Sequence, residues 1–241
     1  MSSSTRKPLL ISAGVALAAV TLGLVSWQAT APADKPDRSA SASAPQADPA
    51  AELKALARRE AGDKLALGRA DAPVVLIEYS DFKCGYCGKF ARDTEPELVK
   101  KYVDDGTLRI EWRNFPIFGA ESEAAAKAAW AAGQQDRFAR FHAAAYAEGS
   151  KEKGFGEARL VELAEQAGVP DLERFKKDMA GEQAAAALRK DQDEGYRIGV
   201  SSTPSFLVNG QPIAGAQPTA AFAAAIAKAK AQAQAAGSAK Q

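Results

Sequence analysis

Cysteine and histidine are scarce in this chain of 241 residues, which holds two cysteines and one histidine, His142. These three ligands are too few for a closed structural zinc site, so no resident metal is predicted. A zinc half-site completed by a second chain stays open, as does a Cys–His nucleophile if His142 meets a cysteine in space. His142 is otherwise interpreted as a structural residue on an amphipathic helix.

Charge bias and phosphate-binding loops are also lacking. The formal net charge is +1, which provides no overall field to attract nucleic acid. The sequence has no glycine-rich phosphate loop and no flavin signature. We therefore predict no nucleic-acid partner and no cofactor. The balance of 46% hydrophobic and 25% charged residues is that of an ordinary globular protein.

Long apolar runs are missing except at the N-terminus. Residues 9–27 are uncharged and follow Arg6 and Lys7, and a bilayer-spanning helix needs about 20 such residues. Residues 1–27 are thus predicted to be a membrane anchor or a signal sequence, with the rest of the chain outside the cytoplasm. The run exceeds the roughly 7–15-residue core of a cleaved signal, which favours a single-pass cell-membrane protein. Secretion or periplasmic release after cleavage stays open.

The next segment, residues 28–50, is mainly Ala, Pro, Ser and Asp, a composition typical of a flexible linker. A globular domain is expected over 51–241, starting with a short helix at 51–61. The apolar run Val74–Tyr79 predicts a strand covered on both faces. Residues 108–117 predict a second strand.

Helical patterns punctuated by Gly or Pro fill residues 120–199. Strand chemistry then returns on both sides of Asn209-Gly210, a dipeptide that strongly favours a β-hairpin. A last helix is expected from about Pro218 to Ala235. This order predicts an α/β fold in which the helical block, about 120–199, is inserted between the two halves of the sheet.

Cys84 and Cys87 lie three positions apart, where a buried strand gives way to a helix. Free backbone N–H groups and the helix dipole stabilise a thiolate at such a helix start. Thiolates are the attacking and leaving groups of disulfide exchange, so Cys84 is predicted to attack and Cys87 to resolve. One alternative is a purely structural disulfide, although so small a ring stabilises the fold little. A second alternative is that the two cysteines are free and lie close by chance.

Two segments resemble a known family: DAPVVLIEYSDFKCGYCGKF around the cysteines, and GVSSTPSFLVNGQPIAGAQP far downstream. They resemble the DsbA-like thiol–disulfide oxidoreductases of the thioredoxin superfamily, especially the membrane-tethered type of Gram-positive bacteria. The resemblance covers about residues 62–235. It implies a thioredoxin fold with a helical insertion and identifies Cys84 and Cys87 as the catalytic pair.

The resemblance also implies roles for four further residues. Glu78 would be a buried acid that moves the proton of the buried cysteine. The other interpretation of Glu78 is a carboxylate at the sheet edge, paired with Arg113 or a lysine. Pro204 would be cis and lie against the redox pair. Thr203 would offer backbone hydrogen bonds to a substrate, and the other interpretation of Thr203-Pro204 is a simple strand start. Tyr86 would tune the thiolate and shape the contact surface.

By this resemblance the protein introduces disulfides into reduced exported proteins, and a DsbB- or VKOR-like membrane protein reoxidises it. The CGYC motif is also similar to that of DsbC-type isomerases, so isomerase or reductase activity stays open. A hypothesis of another class is a peptide-binding holdase that needs neither cysteine.

Overall fold

A five-stranded mixed sheet organises residues 48–239, the part of the chain described by this computed structural model. The predicted anchor at 1–27 and nearly all of the predicted linker at 28–50 lie outside the described residues. The strand order is β1-β3-β2-β4-β5. The strands are β1 (Ala66–Leu67), β2 (Val74–Ser80), β3 (Leu108–Asn114), β4 (Ser205–Val208) and β5 (Gln211–Ala214).

The centre of the sheet is the parallel pair β2 and β3, in which every residue is buried. Val74 lies opposite Leu108 and Ser80 opposite Asn114, so the two strands are in register over their full length. β1, β4 and β5 pair antiparallel to their neighbours. The predicted strands, and the fold class with them, are confirmed.

Helices cover both sides of this sheet. They are α1 (Pro49–Lys54), α2 (Gly85–Lys89), α3 (Glu95–Leu98), α4 (Ala120–Gly133), α5 (Phe138–Ala145), α6 (Glu157–Gln166), α7 (Leu172–Ala180), α8 (Glu182–Arg197) and α9 (Thr219–Ser238). The five helices α4–α8 lie between β3 and β4 in the sequence, where the helical insertion was expected. None of the helices in residues 48–239 has both the length and the apolar character needed to cross a bilayer.

Alternating residues of β2 and β3 serve two different cores. On one face, Val74, Leu76 and Trp112 join the larger core, which also holds both cysteines. On the other face, Val75, Ile77 and Tyr79 form a smaller core with residues of the N-terminal segment and residues just after α8. The larger core therefore lies on the side of the sheet that carries the thiols.

A network of buried charges covers the other face. Glu111 accepts hydrogen bonds from Arg109 Nε at 2.8 Å and from Arg113 Nη2 at 2.9 Å. Its two oxygens also accept the backbone N–H groups of Arg58 and Arg59. Although burial alone would raise the pKa of Glu111, the two arginine side chains lower it to about 2. The carboxylate is thus fully ionised and fully paired.

The same contacts explain why the first helix is shorter than predicted. It was expected over 51–61, but α1 begins at Pro49, with Asp48 as its N-cap, and ends at Lys54. Arg59 adopts a positive φ of 51°. The backbone donors of Arg58 and Arg59 bond to Glu111 instead of continuing the helix.

The β4–β5 hairpin turns at Asn209-Gly210, as predicted. Their φ angles are 46° and 84°, and a two-residue type I′ turn needs positive values at both positions. Asn209 Oδ1 accepts the backbone N–H of Val75 at 2.8 Å, which ties the turn to the start of β2. The turn therefore lies at the end of the sheet opposite to the cysteines, which follow the end of β2.

Candidate active site

The two cysteines lie at the start of a helical stretch that runs from Gly85 to Val103. Cys84 is the N-cap of α2, and its sulfur accepts the backbone N–H of Cys87 at 3.4 Å. The backbone N–H of Cys84 bonds to the carbonyl of Asp81, which fixes the turn between β2 and the helix. This arrangement satisfies a free N–H group of the helix start with sulfur, as the spacing predicts.

The two thiols are free and have different environments. Cys84 keeps 5% of its surface exposed, whereas Cys87 is fully buried. A hydrogen bond from the Cys87 thiol, helped by backbone N–H groups, lowers the pKa of Cys84 to about 6. Burial raises the pKa of Cys87 well above its ordinary value. At neutral pH Cys84 is thus a thiolate and Cys87 a thiol.

The Thr203–Pro204 peptide bond is cis, as the resemblance implied. It lies beside the redox pair, because Sγ of Cys84 is 3.3 Å from the carbonyl oxygen of Thr203, to which it donates a hydrogen bond when it is protonated. The carbonyl of Pro204 accepts from Gly215 in the hairpin. The hydroxyl of Thr203 is buried and has no hydrogen-bond partner among residues 48–239.

Glu78 is fully buried in β2, on the face that carries the thiols. Neither of its carboxyl oxygens has a hydrogen-bond partner among the described residues. Burial raises the pKa of Glu78 to about 8. The alternative of a sheet-edge ion pair with Arg113 is wrong, because Arg113 points to the opposite face and pairs with Glu111 and Glu194.

Glu95 is a second buried acid, which the sequence pattern did not single out. It begins α3, after the π-helical segment Phe90–Thr94 and before Pro96, whose missing N–H disfavours a regular α-helical turn. Its Oε1 lies 3.8 Å from Nδ1 of His142. Burial, and then the nearby charge of Glu78, raise the pKa of Glu95 well above its ordinary value.

His142 packs its ring among the aromatic rings of Phe82, Trp112 and Tyr146. Burial lowers its pKa to about 3, so the imidazole is neutral. Within residues 48–239 neither ring nitrogen hydrogen-bonds to a thiol, so no Cys–His nucleophile is formed.

Exposed apolar side chains lie at the same end of the sheet. Tyr86, between the cysteines, is 69% exposed, and Phe118 is 52% exposed. The carboxylate of Asp81 accepts the backbone N–H groups of Ile117 and Phe118, which places their loop beside the segment that leads into Cys84. A solvated surface of this kind can contact an apolar polypeptide.

The chain is similar in sequence to known proteins. Residues 60–228 match the family model described as thioredoxin. The chain is 34% identical over 150 residues to a probable disulfide bond formation protein D of Bacillus anthracis, covering 60% of this chain and 69% of that protein.

Two solved structures share the fold. The oxidised BdbD of Bacillus subtilis superposes with a TM-score of 0.64 at 26% identity, over 69% of this chain and 92% of that one. The α-DsbA1 of Wolbachia pipientis superposes with a TM-score of 0.62 at 22% identity, over 71% of this chain and 92% of that one.

Proposed function

Because the chain belongs to the thioredoxin family and is a DsbA-like thiol–disulfide oxidoreductase, we propose that it introduces disulfides into exported proteins through Cys84 and Cys87. The observation that carries this proposal is the difference between the two thiols. Cys84 is the more accessible and has a pKa of about 6, while the buried Cys87 holds its proton. An attackable sulfur and a shielded resolving sulfur are what exchange requires.

The reaction runs in two exchanges. A substrate thiolate attacks Sγ of Cys84 in the Cys84–Cys87 disulfide, and the S–S bond breaks. The electron pair goes to Sγ of Cys87, which takes up a proton, and Cys84 is left in a mixed disulfide with the substrate. A second substrate thiolate attacks the substrate sulfur and releases Cys84 as a thiolate. The substrate loses two electrons and the enzyme gains them.

The stability of the dithiol form supports the proposed direction of the reaction. A Cys84 thiolate that persists down to about pH 6 stabilises the reduced enzyme. A stabilised reduced form makes the disulfide a strong oxidant. This supports disulfide donation over the reductase alternative.

The surface near Cys84 suits an unfolded chain as substrate. In this proposal the exposed Tyr86 and Phe118 contact apolar side chains of the substrate. Thr203 and cis Pro204 hold its backbone beside Cys84. Glu78 exchanges the proton of Cys87 during the reaction.

The enzyme has to be reoxidised and has to meet exported proteins. In this proposal, a membrane anchor or signal at 1–27 brings the catalytic domain to the exported proteins. A DsbB- or VKOR-like quinone-linked partner reoxidises Cys84 and Cys87. Protease treatment of intact cells tests the location: digestion of the catalytic domain outside the cytoplasm supports it, and full protection refutes it.

Redox titration of the full chain against a glutathione series tests the direction. A potential near about −120 mV identifies a disulfide donor, whereas one near about −270 mV identifies a reductase. Absence of any reversible two-electron transition would remove the enzymatic proposal and leave the holdase alternative.

Trapping tests the role of each cysteine. Cys87→Ala should accumulate a mixed disulfide when its Cys84 thiolate attacks a disulfide-bonded peptide and one peptide thiolate leaves, because no resolving thiol remains. The matched control, Cys84→Ser, should trap nothing. Equal trapping by both variants would contradict the assignment of Cys84 as the attacked sulfur.

A further inference from the structure

A cluster of polar groups lies within the larger core, behind Cys87. It consists of Glu78, Glu95, Trp112 and His142, and we refer to it as the polar cluster. Five of its polar atoms have no hydrogen-bond partner among residues 48–239: both oxygens of Glu78, Oε2 of Glu95, Nε1 of Trp112 and Nε2 of His142. Buried polar groups are normally paired, so a cluster of unpaired ones calls for a functional explanation.

Glu78 alone cannot complete the proton chemistry of Cys87. When the disulfide opens, Sγ of Cys87 takes a proton, and the fully buried Glu78 is the acid whose charge acts on that sulfur. Glu78 is then a carboxylate with no exposed surface, and no cation of residues 48–239 lies beside it. An isolated buried carboxylate is costly, so Glu78 has to be reprotonated from solvent by some route.

Glu95 lies where that route would end. Its side chain is 13% exposed, so it meets solvent, while its Oε2 is buried inside the cluster. The charge of Glu78 is near enough to raise the pKa of Glu95. Trp112, directly opposite Glu78 in the strand register, lies close to both carboxyls without a normal hydrogen bond to either.

The groups that face Glu95 leave its carboxyl able to carry a proton. From β2 it meets the acid Glu78, and from α5 the imidazole of His142, which burial keeps neutral. Tyr146, which directly follows α5 and lies near Glu78, has a pKa raised by burial and stays neutral too. Trp112 supplies an uncharged indole from β3. No lysine or arginine is paired with Glu95 in the described residues, so nothing there holds it ionised.

We propose that Glu95 is a positioning residue that relays protons between solvent and Glu78 during opening and closing of the Cys84–Cys87 disulfide. In disulfide opening, Glu78 gives its proton to Sγ of Cys87, Glu95 gives a proton to Glu78, and solvent reprotonates Glu95. In disulfide closing, each transfer runs in reverse. This role rests on the proposed function only in taking Cys84 and Cys87 as the exchanging pair.

The test measures reduction of the disulfide in the full chain by dithiothreitol over a range of pH, with rates corrected for the reagent's thiolate fraction. Dithiothreitol reports the exchange step whatever the natural direction is. Glu95→Gln keeps the shape of the side chain but carries no exchangeable acid proton, and Glu95→Asp keeps the acid. Glu97→Gln, an exposed position on the same helix, is the matched control.

For Glu95→Gln we expect a rate at neutral pH lower by roughly tenfold, less than the 10²–10⁴-fold given by an acid that transfers the proton itself. As the pH rises, the corrected rate of this variant should begin to decline at a lower pH than that of the parent, because Glu78 loses a like-charged neighbour and its pKa falls. The decline should follow one ionisation instead of two. Glu95→Asp should keep the second ionisation, and Glu97→Gln should match the unsubstituted chain.

Two results overturn the relay: a Glu95→Gln profile that superimposes on the parent, or one lowered equally at every pH with the same ionisations, which is a purely structural effect. A parent chain that exchanges with dithiothreitol but does not oxidise peptides refutes the proposed function and leaves the relay intact. A parent chain that does not exchange with dithiothreitol refutes both.

Discussion

Glu78 and Glu111 lie on adjacent central strands, and both are fully buried, yet they differ in the face they occupy, in their hydrogen-bond partners and in their pKa values. Glu78 faces the thiols, has no partner among the described residues and has a pKa of about 8. Glu111 faces the opposite way, accepts four hydrogen bonds and has a pKa of about 2. Burial alone therefore does not decide the charge of a carboxyl group; its partners do.

The comparison separates two tasks across one sheet. The Glu111 face fixes the N-terminal segment and α8 to β3 through groups that stay ionised near neutral pH. Arg113 bonds to Glu194 on α8 and to the carbonyl of Leu56, as well as to Glu111. The Glu78 face keeps a group whose charge can change near neutral pH, at a cost in stability. The predictions below test this separation, starting with the largest effect.

Cys84→Ser should abolish thiol–disulfide exchange completely while leaving the folded state intact. The serine keeps an oxygen at the helix N-cap, so the backbone N–H of Cys87 retains an acceptor. Exchange with dithiothreitol and urea unfolding measure the two effects. Large destabilisation of the reduced protein would mean that the thiol face also carries the fold, and the comparison would fail.

Glu111→Gln should lower the free energy of unfolding by about 3–5 kcal/mol, because it leaves Arg109 and Arg113 buried without their carboxylate. Guanidinium unfolding at neutral pH measures it. The thiolate absorbance of Cys84 should titrate as before, since the change is on the other face.

In the parent, the pKa of Glu111 is depressed from 4.5 to about 2. Its stabilisation is therefore complete above pH 4.5 and is lost as the pH falls through about 2.

Glu78→Gln should raise the free energy of unfolding at alkaline pH, whereas Glu111→Gln lowers it. The pKa of Glu78 rises from 4.5 to about 8 on folding, so the native state binds the extra proton and its stability falls as the pH rises between these values. The glutamine variant escapes this loss and should be more stable than the parent at pH 8 by about 2–4 kcal/mol. Exchange should slow by roughly 10²-fold. Parallel stability curves for parent and variant across this range would contradict the raised pKa.

Asp93→Asn should have the smallest effect. Asp93 pairs with Lys89 at 2.6 Å on the helix that carries the cysteines, but both side chains are more than half exposed. Exposed ion pairs contribute little and are screened by salt. Neither the unfolding midpoint nor the exchange rate should change measurably. A clear loss of stability would show that charge on the thiol side matters outside the core as well.

Much of this fold could be predicted from local patterns. The apolar run of β2, the Asn209-Gly210 turn and the helical insertion have strong local signals, and the structure confirms each. β1 has only two residues and no periodicity, so its pairing with β3 was not foreseeable. The end of α1 was mispredicted because its cause, Glu111, lies more than fifty residues away in the sequence.

The site divides in the same way. The spacing of Cys84 and Cys87 predicts their chemistry, and a carboxyl inside an apolar strand marks Glu78. Nothing local marks Glu95, because it precedes a proline in a helix of charged residues and becomes buried only where α5 packs against it. Glu111 did have a signal: Arg109 and Arg113 flank it at the two-residue strand period, a pattern of charges on one face of a buried strand.

The contact between the N-terminal segment and the hairpin turn has a practical consequence. A Cβ on Gly210 would lie 2.7 Å from the backbone nitrogen of Lys54 and 2.9 Å from the carbonyl oxygen of Ala50, so α1 rests directly on the turn. That turn lies at the end of the sheet away from Cys84. The protein can thus be attached to a bead or an electrode through an exposed residue of α1, with Cys84 at the far end of the sheet.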